Sequence, residues 1–193
     1  MVCFAVGAGH PVRWAARGSE NTQRSGAARR RCIASASAER SVARGRVAAA
    51  FSGEDLRPVI LYDGVCNLCN GAVNLALDID AREAFRFAAL QSNAGREMLR
   101  SVGRKADDIS SIVLVEVTSH GEPAGHIKSE AVLRIASGMG GPWSVLGAMG
   151  LLFPLPVRDA VYDFVADNRY NVLGKREVCR LSDAGLEDRF LTD

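Results

Sequence analysis

The chain of 193 residues is long enough for one domain with an attached segment, and with 48% hydrophobic and 24% charged residues it can bury a core. Its formal net charge of +2 hides an asymmetry, because the first fifty residues carry nine arginines, no lysine and two acids, whereas the remainder carries fifteen basic and twenty acidic residues. The acidic remainder gives no reason to expect nucleic-acid binding, and five widely spread cysteines are not the pattern of a secreted, disulfide-stabilised protein.

Residues 1–50 have the composition of an organelle transit peptide. They are rich in alanine, serine, glycine and arginine, poor in acids, and without a lasting hydrophobic period. Their apolar start is too short for a secretory signal and is soon broken by glycine and proline. The stretch 29–38 is typical of a plastid processing region, so we expect import into the chloroplast, with the mitochondrion as the alternative. A disordered basic tail on a cytosolic protein would have the same composition.

A strand followed by two cysteines is the feature around which the rest of the chain is organised. The apolar run Arg57–Tyr62 predicts a first strand, and an Asp-Gly pair marks a sharp turn after it. Cys66 and Cys69 follow, at the start of a segment, Asn67–Ala81, whose apolar residues recur with helical spacing. The first N–H groups of a helix carry partial positive charge, so a thiolate there is stabilised. The spacing predicts a reactive dithiol with Cys66 as the exposed nucleophile and Cys69, one turn further on, as the resolving thiol.

The remaining elements predict a thioredoxin-like α/β fold, a small mixed sheet flanked by helices. A second strand is predicted at 85–90, a second helix at 91–103, a third strand at 111–117 and a short fourth strand near 124–128. Ser129 would then cap a further helix. The order βαβ followed by ββα is that of such a fold. We therefore expect one domain over residues 56–193, with extra helices towards its C-terminal end.

A segment without charge, Ile135–Val157, is long enough to suggest a membrane span. Eight glycine and proline residues interrupt it, and a spanning helix tolerates them only where neighbours satisfy the freed backbone groups. We therefore expect no membrane span, but a loop and a buried helix over 143–153, followed by an amphipathic helix over 158–168. The apolar side chains expected to lie in the core are Trp143, Phe153, Tyr162, Val161, Phe164 and Val165.

The Cys66–Cys69 pair allows three interpretations. In the first, the Cys66 thiolate attacks a disulfide of a protein partner and Cys69 resolves the mixed disulfide. In the second, the pair binds a structural metal, but zinc needs four ligands, and only Cys179, His120 and His126 could complete the set. In the third, the cysteines are inert or structural and the domain only docks a partner. We expect the first interpretation, without a bound cofactor or metal.

Asp63 lies three residues before the first cysteine and has two possible roles. A carboxylate close to the dithiol would handle protons or raise the pKa of a thiol. The alternative is a turn aspartate that accepts hydrogen bonds from backbone N–H groups beside Gly64.

The sequence around the two cysteines resembles the DCC (formerly DUF393) family of thiol-disulfide oxidoreductases. The hallmark of that family is Asp-Gly-x-Cys-x-x-Cys after a first strand. Here the match is Tyr62–Asn70, and the resemblance extends from about Pro58 to Cys179. Further stretches that fit the family are residues 85–92, 111–115, 128–133, 141–143, 158–162 and 168–170. The resemblance implies a thioredoxin-like fold, and exchange with protein thiols and disulfides through Cys66 and Cys69.

Departures from ordinary thioredoxins, within the cysteine motif and before the third strand, leave substrate breadth and redox direction open. Val65 precedes the first cysteine in place of an aromatic residue, and the pair Asn67-Leu68 between the cysteines lacks proline. Thioredoxins also place a cis-proline before the third strand, facing the active-site sulfur, and here that place holds Ser110-Ser111. Both cysteines are present all the same.

Overall fold

The sheet of the protein has four short strands in the order β2-β1-β3-β4. The strands are Val59–Tyr62 (β1), Arg86–Ala89 (β2), Val113–Val117 (β3) and Pro123–Ile127 (β4). The computed structural model describes residues 51, 55–175 and 186–191. β1 is parallel to β2 and antiparallel to β3, and β3 is antiparallel to β4, so the sheet is mixed. The parallel pair needs a crossover, which a helix after β1 supplies.

Helices cover both faces of this sheet. Within the described residues they are Asn67–Ile79 (α1), Asn93–Ser101 (α2), Lys128–Met139 (α3), Gly141–Leu151 (α4), Leu155–Leu173 (α5) and a 3-10 turn, Glu187–Arg189. The mixed α/β architecture predicted from the sequence, consistent with a thioredoxin-like fold, is confirmed.

The core lies on both sides of the central strand, because alternate side chains of a strand point to opposite faces. Ile60 and Tyr62 of β1 pack on one side with buried residues of α1 and α3. Val59 and Leu61 pack on the other side with Met98 and its neighbours in α2. Every residue of β1 is therefore buried, and the end of this strand is a rigid base for the turn that carries the cysteines.

Ser129 does not cap a helix. α3 begins one residue earlier, at Lys128, and its N-cap is Ile127, which makes no side-chain capping bond. The Ser129 hydroxyl instead donates to Asp159 of α5. The prediction of a Ser129 cap was wrong because this hydroxyl has a tertiary partner.

The predicted buried helix, α4, lies at the surface. Gly147 is its buried residue, and a Cβ there would meet the Leu133 carbonyl oxygen at 2.6 Å, so α4 packs on α3 through its glycines. Because apolar residues occur on nearly every side of α4, contact with one neighbour leaves much of that surface uncovered.

Several side chains placed in the core by sequence are therefore exposed. Those exposed on α4, α5 and the turn between them include Trp143, Phe153, Val161, Phe164 and Val165, whereas Tyr162 is partly buried. The core assignment of the five was wrong, because apolar periodicity does not tell which face of a helix finds a partner.

Among the described residues, no single helix is long and apolar enough to cross a membrane. Gly141–Leu151 and Leu155–Asn171 pass that test of length and composition only as a pair, which is bent by 117°.

Candidate dithiol site

Cys66 is the N-cap of α1. The turn after β1 closes when the Cys66 N–H donates to the Asp63 carbonyl at 3.2 Å. The backbone of Cys66 is extended, and its Sγ accepts the N–H of Cys69 at 3.4 Å. The amide of Asn70 holds the turn in place by donating to the Gly64 and Cys66 carbonyls at 2.8 and 2.9 Å. The Cys66 sulfur therefore lies at the positive end of the helix, bonded to one of its otherwise unsatisfied N–H groups.

Cys69 lies one turn further into α1 and is half-buried. Burial raises the pKa of the Cys69 thiol, and together with the hydrogen bond to Cys66 and the negative charges of Cys66 and Asp63 it brings that pKa to about 12, with Arg169 opposing. Cys69 therefore keeps its proton at neutral pH.

Cys66 is fully buried, with 0% of its surface exposed. A covering segment, Leu173–Lys175, lies over it. The Asn67 amide donates to the Leu173 carbonyl at 2.7 Å, the Asn67 N–H donates to the Gly174 carbonyl at 3.4 Å, and Cys66 forms an antiparallel bridge with Lys175. The expectation that the Cys66 sulfur is exposed was wrong, because the chain after α5 returns across the start of α1.

Asp63 is buried at the centre of a hydrogen-bonded group. Its Oδ1 accepts the Val65 N–H at 3.2 Å and the Gln91 amide at 2.7 Å. Its Oδ2 accepts the Tyr170 hydroxyl and lies 3.6 Å from the Arg169 guanidinium. The turn interpretation accounts for the first of these bonds, and the proximity of its charge to Cys69 accounts for its effect on that thiol. Both roles suggested by sequence are therefore physically available to this carboxylate.

Three partners of Asp63 were not assigned from sequence. Gln91, Arg169 and Tyr170 lie 28, 106 and 107 residues away along the chain, distances over which no local pattern carries information. The available signal was the family resemblance, whose stretches 85–92 and 168–170 contain all three.

No group of three or more His, Cys, Asp and Glu side chains that could hold a metal ion occurs among the described residues. His126 instead lies between two carboxylates, with Nε2 3.3 Å from Glu116 and Nδ1 3.1 Å from Glu130. Cys179, Cys3 and Cys32 lie outside the described residues.

Comparison with known proteins gave two kinds of match. A family model described as DCC1-like thiol-disulfide oxidoreductase matches residues 60–175. A chloroplastic DCC family protein of Arabidopsis thaliana is 47% identical over 131 residues, which are 68% of this chain and 73% of that protein. The uncharacterized protein YuxK of Bacillus subtilis (strain 168) is 38% identical over 133 residues, which are 69% of this chain and 93% of that protein. No solved structure gave a significant match. The matched residues 60–175 contain both cysteines and the whole group around Asp63.

Proposed function

Because the chain belongs to the DCC1-like thiol-disulfide oxidoreductase family, we propose that it exchanges disulfides with protein partners through Cys66 and Cys69. The observation that carries this proposal is the position of the Cys66 sulfur at the N-cap of α1, where it accepts the Cys69 N–H. Helix N-termini stabilise thiolates, and the thiolate is the form of cysteine that attacks disulfides.

Exchange takes two displacement steps. The Cys66 thiolate attacks one sulfur of the partner's disulfide, a mixed disulfide forms, and the other partner sulfur leaves as a thiolate. Cys69 then gives up its proton and attacks the Cys66 sulfur, which forms the Cys66–Cys69 disulfide and releases the partner's second sulfur as a thiolate. The partner gains two electrons and the dithiol loses two. The reverse sequence oxidises a partner.

Asp63 has a supporting role in this proposal. Its negative charge helps to keep the proton on Cys69 until the mixed disulfide has formed, and its bond to the Val65 N–H fixes the turn before Cys66. Attack by Cys66 also requires the covering segment to move away from its sulfur.

The test is a titration of the reduced and oxidised forms in defined dithiol buffers, with free thiols trapped by a mass tag. We expect a reversible two-electron transition between about −300 and −120 mV, the range of working oxidoreductases. A Cys69→Ser protein should accumulate mixed disulfides, a Cys66→Ser protein should form none, and a Cys179→Ser protein serves as the control. Absence of a transition in that range would overturn the proposal.

The burial of Cys66 favours a second candidate, a non-catalytic module that docks a protein partner and whose cysteines are structural. The two candidates differ in one outcome. If Cys66→Ser and Cys69→Ser proteins both retain full function in the organism, the docking module is correct and the exchange reaction is not.

We also propose that the protein is imported into the chloroplast. The Arabidopsis relative is described as chloroplastic, and residues 1–50 have the composition of a transit peptide. A fusion of residues 1–50 to a fluorescent protein should enter plastids. Entry into mitochondria would support the alternative destination, and a cytosolic signal would exclude both.

A further inference from the structure

An apolar cavity of about 440 Å³ lies beside Cys69. Its floor includes Ile60 and Phe87 of the sheet, and its walls come from α1, α3 and α5. Exposed side chains such as Val161 and Val165 also line it, so it opens at the surface. Its volume falls in the range of about 300–1,000 Å³ that is typical of small-molecule sites.

The polar side chains of the cavity gather around Cys69. The Arg169 guanidinium lies 3.6 Å from the Asp63 carboxylate. The Tyr162 hydroxyl accepts the Ile112 N–H. A thiolate at Cys69 would raise the pKa of both Tyr162 and Arg169, so both side chains lie near that sulfur. Most of the remaining wall is aliphatic or aromatic, so the cavity has one polar end, at Cys69, and an otherwise apolar length.

The polar end favours a neutral ligand. Arg169 is the one cationic side chain among the described residues that line the cavity, and it is already paired with Asp63. Its Nη groups donate to the carbonyls of Ile109 and Ser110 at 3.1 Å and to the Tyr170 hydroxyl, and its buried Nε–H has no partner among the described residues. A carboxylate or phosphate head would therefore meet the Asp63 charge without an unpaired cation to balance it.

Ser111 supplies an unused hydrogen-bonding group. It lines the cavity, is only 3% exposed, and its Oγ has no hydrogen-bond partner. A buried hydroxyl without a partner is costly, and a carbonyl oxygen on a ligand would accept its proton.

An extended peptide fits this cavity poorly. A peptide carries an N–H and a carbonyl at each residue, and the apolar length of the wall offers them no partners. Two backbone groups of the loop before β3 are also in use, since the Ser110 carbonyl accepts from Arg169 and the Ile112 N–H donates to Tyr162. A molecule with a carbonyl at one end and an apolar remainder matches the wall better.

We propose that the cavity binds an alkylated quinone, a neutral lipid-soluble carbonyl compound, and that the dithiol exchanges two electrons with it. The reduced pair loses two protons and two electrons as the Cys66–Cys69 bond forms, and the quinone takes up both protons and both electrons to become a hydroquinone. The reverse reaction lets a hydroquinone reduce the disulfide. This inference rests on the proposed function, and it names the class of electron carrier that would serve the pair.

The first experiment measures binding of a decyl-substituted benzoquinone to the full chain by quenching of tryptophan fluorescence, since Trp143 lines the cavity. Ala72 and Asn74 are both exposed on α1, but only Ala72 lines the cavity. We expect Ala72→Phe to raise the Kd at least tenfold by filling the space, and Asn74→Phe to leave it unchanged. Ser111→Ala should raise it about three- to tenfold through loss of one hydrogen bond.

A second experiment separates this inference from the proposed function. The reduced proteins are mixed with the quinone or with hydroxyethyl disulfide, and the ratio of the two rates is compared. Ala72→Phe should lower the ratio of quinone to disulfide reduction about tenfold, and Asn74→Phe should not change it. Binding is also measured on a Cys66→Ser/Cys69→Ser protein, which cannot react, so the cavity is tested even if the pair proves redox-inactive.

Three results would overturn the quinone site. The first is equal quinone binding by the parent protein and Ala72→Phe. The second is binding of undecanoate as tight as that of 2-undecanone, because it would contradict the neutral polar end. The third is a dithiol that reduces hydroxyethyl disulfide but not the quinone, which would leave the proposed function standing and remove this inference alone.

Discussion

The two sulfurs of the dithiol differ because of their individual surroundings. Cys66 accepts a helix N–H, whereas Cys69 is half-buried next to two negatively charged groups. In the proposed exchange, single contacts within one turn of helix would therefore set which sulfur attacks and which resolves.

Labelling of Cys69 by iodoacetamide should be slow at pH 8. With a pKa of about 12, only about one Cys69 thiol in 10,000 is ionised there, and the rate should rise about tenfold per pH unit towards pH 12. Peptide mapping by mass spectrometry gives the rate at this residue, with N-acetylcysteine as the reference. Labelling at pH 8 as fast as that of N-acetylcysteine would contradict the raised pKa of Cys69.

Replacement of Asp63 should destabilise the protein. Asp63→Asn removes the buried carboxylate that pairs with the partly buried Arg169 guanidinium, so we expect a loss of about 3 kcal/mol in the free energy of unfolding. Tyr170→Phe removes one hydrogen bond to the same carboxylate and should cost about 1 kcal/mol. Urea unfolding measures both losses, and equal losses would show that the ion pair adds nothing beyond a hydrogen bond.

The sequence placed Cys66, Cys69 and Asp63 together because they fall within seven residues. It could not place Gln91, Arg169 and Tyr170 beside them, since hydrogen bonds between residues from 28 to 107 positions apart leave no local periodicity. It also could not foresee that Cys66 is buried, because the covering segment comes from the far end of α5.

At the scale of elements, the start of α1 is tied to the end of α5. Asn67→Ala removes the bond from its amide to the Leu173 carbonyl and should loosen the covering segment. We expect iodoacetamide to label Cys66 about fivefold faster in this variant, the factor for one hydrogen bond of about 1 kcal/mol. Asn74→Ala, a change of the same kind at an exposed position of α1, is the control and should leave the rate unchanged. Equal rates of Cys66 labelling in the two variants would show that the Asn67 amide does not hold the covering segment in place.

The edge strand β2 is closed by the segment Leu186–Leu191. The Leu191 N–H donates to the Phe87 carbonyl at 2.9 Å, and Arg189 forms a buried ion pair with Asp80 at 2.7 Å. This segment therefore protects an edge that would otherwise expose unpaired backbone groups.

Arg189→Leu should cost about 3–5 kcal/mol of folding free energy, because it leaves the Asp80 carboxylate buried and unpaired. Arg104→Ala, which breaks a more exposed pair with Asp108, should cost at most about 1 kcal/mol. Guanidinium unfolding of the two variants gives the comparison. A loss below about 1 kcal/mol in Arg189→Leu would mean that water reaches Asp80.

Strand and helix types could be predicted from sequence because β-branched runs and helical spacing are local properties. The bounds were less certain: β1 begins at Val59 rather than Arg57, and α1 ends at Ile79 rather than Ala81. The exposure of α4 could not be predicted, since its glycines determine how closely α3 approaches and its apolar content does not.

At the scale of the whole molecule, the outer surface of α4 and α5 is unusually apolar. At the turn between them Leu152 is 85% exposed and Phe153 is 62% exposed. Contiguous apolar patches on a protein surface are uncommon, and they bind other apolar surfaces and molecules.

A Leu152→Ser/Phe153→Ser protein should therefore bind an apolar dye such as anilinonaphthalene sulfonate more weakly than the parent protein, with an unchanged unfolding midpoint. Dye fluorescence and thermal unfolding provide the two readings. A drop in the midpoint of more than about 4 °C, the shift that corresponds to roughly 1 kcal/mol, would show that these side chains are packed after all.

The covering segment over Cys66 makes the reactivity of this sulfur depend on how often the segment opens. A sulfur that is reached only in an open form reacts at its intrinsic rate multiplied by the fraction of molecules that are open. In the proposed exchange, a small disulfide that collides only briefly with the closed form would react slowly, whereas a partner that stays bound until the covering segment opens would react faster. Small disulfides would then be disfavoured by their short residence, without any contact that recognises them.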